Sequence, residues 1–163
     1  MKFSRALLSG LLGAMLVYVI VLVAGALAGS HADLCGLLGS SVTGAADSWT
    51  WLLGALGQLA LGVVVAIVYG AIFEWVTQRA GAAVGFIIAL AHAIVAGLAV
   101  GFLPAGHLIE ANIAPPGAFM EYRGTAVVGA FVIAHLVFGT IVGTLYGRPR
   151  HTVATRVIVW RQV

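Results

Sequence analysis

Residues 135–147 read HLVFGTIVGTLYG, and residues 58–70 read QLALGVVVAIVYG. Laid over one another, they match at Leu59/Leu136, Gly62/Gly139, Val65/Val142, Tyr69/Tyr146 and Gly70/Gly147. Each stretch is apolar and nearly free of charge, and each carries a small residue every fourth position: Gly62, Ala66 and Gly70 in one, Gly139, Gly143 and Gly147 in the other. Residues four apart share a helix face. A glycine-lined face lets two helix backbones approach closely, which is how helices associate in lipid.

The rest of the chain has the same character. Of its 163 residues, 62% are hydrophobic and 8% charged, against about 25% charged in soluble domains. A helix needs about 20 apolar residues to cross a hydrocarbon core. Four segments qualify: residues 7–29, 49–73, 81–103 and 125–146. Residues 30–48, rich in Gly and Ser, and 104–124, with Pro104 and Pro115-Pro116, read as loops. The expected fold is an all-α membrane protein: a four-transmembrane-helix bundle in residues 1–147, followed by a basic cytoplasmic tail, 148–163. The Met1–Arg5 start and Ala26-Leu27-Ala28 imitate a cleavable signal, but the apolar run exceeds the roughly 7 to 15 residues of a signal core. It reads as a retained helix.

Charge sets the expected orientation, because Lys and Arg near span ends stay in the cytoplasm. Lys2, Arg5, Arg79, Arg148, Arg150, Arg156 and Arg161 fall on one side, and only Arg123 on the other. Both termini are therefore expected inside, in an inner membrane. Trp49, Trp51, Trp75, Tyr122 and Tyr146 lie near the boundaries, where amphipathic rings gather. The net charge of +3 comes from these helix ends and the tail, so it signals topology and not nucleic acid. In the tail, strand alternation and a short surface helix are both allowed, and four Arg beside Val, Ile and Trp suit anionic headgroups.

The paired stretches suggest a duplicated helical hairpin. Gly25, Leu27 and His31 fall over Gly101, Leu103 and His107, and Arg5-Ala6 and Arg79-Ala80 open the two halves. Halves of equal topology are related by an axis along the membrane normal. Gly25/Gly29, Gly81/Gly85 and Gly97/Gly101 add shorter small-residue pairs.

Ionisable groups inside a bilayer are costly and mark functional candidates. His92 and His135 stand at matching mid-span depth, and Gln58 occupies the position that the repeat pairs with His135. These three could bind a cofactor such as a b-type haem, hold a metal with Tyr18, relay protons, line a path for a small solute, or form neutral interhelical hydrogen bonds. In the outer loops His31, Asp33, His107, Glu110 and Glu121 are a candidate divalent-metal set, His107 and Glu110 being one helical turn apart. Glu74 reads, with Arg79, as a boundary marker without chemistry. Cys35, the single cysteine, reads as packing. No phosphate loop, nucleophile elbow or His-Glu-x-x-His motif is present, which disfavours an enzyme.

Residues His135-Leu136-Val137-Phe138-Gly139 through Gly143 to Tyr146-Gly147 resemble the closing helix of small bacterial inner-membrane proteins of the YagU-like kind. The likeness covers one helix. It implies a polytopic inner-membrane protein and assigns no catalytic residue. The expected role is an accessory or interaction subunit, packed in the lipid bilayer against other membrane subunits or in a homo-oligomer through its glycine rows. A transport component using His92 and His135 is the alternative, and a haem-bound redox subunit the second.

Overall fold

The computed structural model describes residues 1–150, so the stretch 151–163, which carries most of the tail, lies outside the described residues. Among the described residues the chain is helical, without strands: α1 Phe3–Leu27, α2 Leu34–Thr43, α3 Ser48–Ala71, α4 Ala82–Gly101, α5 Ala105–Glu110 and α6 Thr125–Tyr146. A π-helical turn, Ile72–Val76, continues α3, and a 3-10 segment, Ala118–Arg123, precedes α6. Four helices, α1, α3 with its π turn, α4 and α6, are long and apolar enough to cross a membrane.

The segment 30–48, expected as a loop, contains a ten-residue helix. Its start and stop are chemically specified. Asp33 accepts a hydrogen bond from Gly36 N (3.0 Å), and Gly44 ends the helix with φ +68°, as capping carboxylates and left-handed glycines do. Leu34, Cys35 and Leu37 are buried. The helix lies close on the start of α3: a Cβ built at Gly39 would strike the Thr50 carbonyl, and one at Gly54 the Cys35 carbonyl. Asp47 caps α3 by accepting from Thr50 N (2.7 Å), a bond that holds its carboxyl below the usual range. Pro104–Gly124 is likewise partly helical, through α5 and the 3-10 segment.

The long helices pack in the order α3, α1, α6, α4. The inner pair is the more covered: 44% of the most apolar window of α6 and 39% of that of α1 are buried, against 22% for α4 and 17% for α3. α3 and α4 scarcely touch one another.

Two crossings hold this order, and they are alike. Where α1 meets α3, a Cβ at Gly10 would lie 2.7 Å from Gly62 O, and one at Gly62 would lie 2.5 Å from Ala14 Cβ. Where α4 meets α6, a Cβ at Gly139 would lie 2.5 Å from both Gly85 O and Ala89 Cβ, and one at Gly85 would strike Gly139 O. Backbones touch at both places. Gly143 lies against Gly81 O and Gly70 against the Tyr146 ring. Three glycines of the expected packing rows and pairs also set the backbone at helix ends. Gly147 (φ +69°) ends α6 and Gly29 (φ +67°) follows the last turn of α1, both with dihedrals that favour glycine; Gly81 (φ +129°) precedes α4. Gly147 therefore terminates its helix and does not extend the row.

Trp49, Trp51, Trp75 and Tyr122 are exposed, as boundary rings should be, but Tyr146 is fully buried. Its hydroxyl has an internal partner, described below.

Gly85→Ala places a methyl against the Gly139 carbonyl, and overpacking of this kind costs about 1–3 kcal/mol. Gly129→Ala, in α6 with nothing within 4 Å of the new Cβ, should change stability by less than about 0.5 kcal/mol. Thermal unfolding in detergent reads both; equal effects would show that the crossing is not close.

Candidate functional site

The face of α4 that looks inward reads Ala89, His92, Ala93, Ala96, residues three and four apart. On α6 the matching face is Phe131, His135, Phe138, all buried. Small residues on α4 leave its imidazole room to reach α6, and the two histidine rings meet edge to face with centroids 5.0 Å apart. The equal depth expected of His92 and His135 is thus realised as direct contact.

Each ring is fixed by a separate partner. His135 Nδ1 lies 2.7 Å from the carbonyl of Phe131, one helical turn earlier, and the ring leans on the Phe131 ring at 4.2 Å. A carbonyl only accepts, so Nδ1 carries the hydrogen; in the neutral ring Nε2 is then a bare acceptor. His92 Nδ1 lies 3.3 Å from the Tyr69 hydroxyl, and the His92 ring packs edge to face on Phe138 and Tyr69. Tyr69 was not singled out as a site residue by sequence. Its only signal was its place in the repeated motif. Tyr18, expected nearby, instead packs edge to face on Trp51, with ring centroids 6.2 Å apart.

Because α3 and α4 scarcely touch, a cavity of about 230 Å³ lies between them. Its polar lining is Gln58 from α3, His92 from α4 and His135 from α6; the remaining walls are apolar, including Leu34, Leu37 and Leu38 of α2. Among the described residues, no Lys, Arg, Asp or Glu lines it. Leu61 and Ala99, which line it too, are also exposed on the outside of the chain, so the cavity reaches the flank between α3 and α4. A porphyrin ligated by both imidazoles would have to lie between them. Two rings in edge-to-face contact leave no gap for its plane.

The outer-loop metal set is not assembled. Among the described residues no three His, Cys, Asp or Glu side chains are gathered to hold an ion. Each has another position: His107 Nδ1 donates to Ser41 O (2.9 Å), Asp33 caps α2, Glu110 lies beside Gly44, Glu121 beside Gly117, and His31 is exposed. Arg123 donates to the Ala114 carbonyl (2.6 Å), and burial lowers its pKa. Arg123 therefore ties down a loop.

At the opposite end, Glu74 is fully buried. The π turn carries it under the end of α6, where Oε1 accepts from the Tyr146 hydroxyl (2.7 Å) and Oε2 from Arg150 N (2.7 Å). The same hydroxyl accepts from Lys2 N (3.1 Å), while Lys2 Nζ donates to Arg148 O (2.5 Å). The boundary marker is thus a buried acceptor that joins the start of α1 and the ends of α3 and α6. An apolar run followed by one carboxylate does not reveal this, since the π turn sets where Glu74 faces.

No family model matches the chain, and neither the curated proteins nor the solved structures yield a match.

Removing one partner of a buried charged hydrogen bond costs about 1–3 kcal/mol or more. Tyr146→Phe should destabilise the protein by about that much, and Glu74→Gln, which keeps an acceptor, by less than Glu74→Leu. Unfolding in detergent measures this order; indifference to all three would remove the network from the account.

Proposed function

We propose that the protein is a membrane-embedded component that binds a small solute at mid-depth between α3 and α4, within a bundle made of two duplicated hairpins with both termini cytoplasmic. The cavity bearing Gln58, His92 and His135 carries the reading. A concave, mostly apolar site with a few convergent polar groups is the usual form of a small-molecule site.

Duplication accounts for where the cavity lies. Setting Gly10 over Gly85 and Gly62 over Gly139 superimposes the two glycine crossings, one residue away from the register that pairs Gly25 with Gly101. This register places Val17 over His92, Gln58 over His135, Gly13 over Ile88 and Leu61 over Phe138. The tight α1–α6 contact is then the counterpart of an α3–α4 contact. In the first, Gly13 admits the Phe138 ring, which a Cβ there would approach to 2.5 Å. In the second, Ile88 would confront Leu61. Two branched side chains cannot approach as a glycine and a ring do, so the second contact stays open, and the three polar residues look into the opening.

The accessory reading rested on glycine rows as outward contact surfaces. Gly62, Gly139 and Gly143 instead pack on helices of this chain, and Gly70 on its Tyr146, which weighs toward the alternative, a transport component for protons, a metal ion or a small solute, and of these a small solute suits the cavity. The side-by-side imidazoles weigh against the haem alternative in the same way. Lys2, Arg5, Arg148 and Arg150 lie together at one end, and their charge supports placing that end in the cytoplasm; a reporter fused to the C-terminus that works only in the cytoplasm should be active.

Fluorobenzene titrated into the protein in nanodiscs and followed by 19F NMR should show a saturable component beyond bilayer partition. Ala96→Trp, which fills the cavity, should abolish it without loss of folding. Uptake that rises linearly in the wild type, or saturation unchanged in the variant, would contradict a binding cavity.

A further inference from the structure

The polar lining specifies the ligand more narrowly than the cavity alone does. We infer that the site takes a neutral, single-ring, largely apolar molecule bearing one hydroxyl donor, a phenol in chemical class, whose O–H is received by His135 Nε2. The inference rests on the solute-binding reading above.

Size sets the first bound. A dry apolar cavity of about 150 Å³ accommodates benzene, and this one is about 230 Å³. One substituted ring fits. A sterol or a lipid chain does not fit whole.

Charge sets the second. Among the described residues no cationic or anionic side chain lines the walls, and an unpaired ion in such a place is far more costly than a neutral polar group. The ligand is therefore neutral.

Hydrogen-bond direction sets the third. His135 is 7% exposed, and its Nδ1 hydrogen is committed to the Phe131 carbonyl. The other ring nitrogen of this cavity-lining residue, Nε2, then accepts and does not donate, so it can receive a ligand O–H. Gln58, on the opposing helix, offers an amide that donates to the hydroxyl oxygen. The Leu61, Ala96, Val100 and Phe131 walls cover the ring. The exposed flank at Leu61 and Ala99 gives a route from the bilayer, where such molecules concentrate.

The test compares 4-fluorophenol, 4-fluoroanisole and fluorobenzene on the full-length protein in nanodiscs, each Kd corrected for its bilayer partition. The phenol should bind roughly five- to tenfold more tightly than either other probe, the worth of about one hydrogen bond. Anisole, whose oxygen can accept from Gln58 but has no hydrogen to give His135, should bind more weakly than the phenol. His135→Phe should erase the phenol's advantage while fluorobenzene still binds, and His92→Phe should preserve most of it. Equal Kd values for phenol and fluorobenzene, or anisole binding as tightly as the phenol, would overturn the inference without any variant. Saturable fluorobenzene binding with no phenol preference would sink the ligand class and leave the cavity reading standing, whereas no saturable binding of any probe would sink both.

Discussion

Backbone contact between glycines is the constraint on which this protein depends. In lipid, apolar side chains gain little by leaving one apolar neighbour for another, so helices adhere through close packing and weak polar contacts. Gly10 on Gly62 and Gly85 on Gly139 bring α1 to α3 and α4 to α6 at backbone distance. Everything between those two crossings has its place set by them. The imidazoles meet because α4 is held so near α6, with Ala89 and Ala93 adding little bulk beside His92.

The two ends of the molecule are closed by different means. At one, Glu74 gathers the Tyr146 hydroxyl and the chain beyond α6. At the other, α2 is capped by Asp33 and Gly44 and lays Leu34, Leu37 and Leu38 against the cavity. The middle is left free to be open on one side. On the proposed reading, an opening on the flank of Leu61 and Ala99 suits a solute that arrives from the bilayer.

The four long helices were legible because twenty-odd apolar residues in a row have few other uses; the equal depth of His92 and His135 was legible too, but their direct contact was one of several open possibilities. The missed features have physical reasons. Residues 34–43 look like a loop if Gly and Ser are counted, yet Asp33 and Gly44 are a cap and a stop around buried Leu34 and Leu37. Glu74 and Tyr146 read as boundary residues because a π turn, invisible in composition, sets where the carboxylate points. The outer carboxylates and histidines form no cluster, since spacing along a chain does not place loops beside one another. The glycine rows were legible as packing, but a row does not say whether its partner belongs to the same chain. Least legible was the open flank. Under the proposed duplication it follows from Gly13 facing Phe138 where Ile88 would face Leu61, a difference that appears only once the register of the crossings is known.

Oxidative cross-linking of paired cysteines, in a Cys35→Ser background, addresses that asymmetry most directly. The pair G13C/F138C spans the closed α1–α6 contact, and L61C/I88C spans its proposed counterpart between α3 and α4. The account predicts rapid disulfide formation in the first and none in the second, with the protein in nanodiscs. Equal rates for the two pairs would mean that α3 and α4 close on each other as α1 and α6 do, and the cavity with its three polar residues would have no opening.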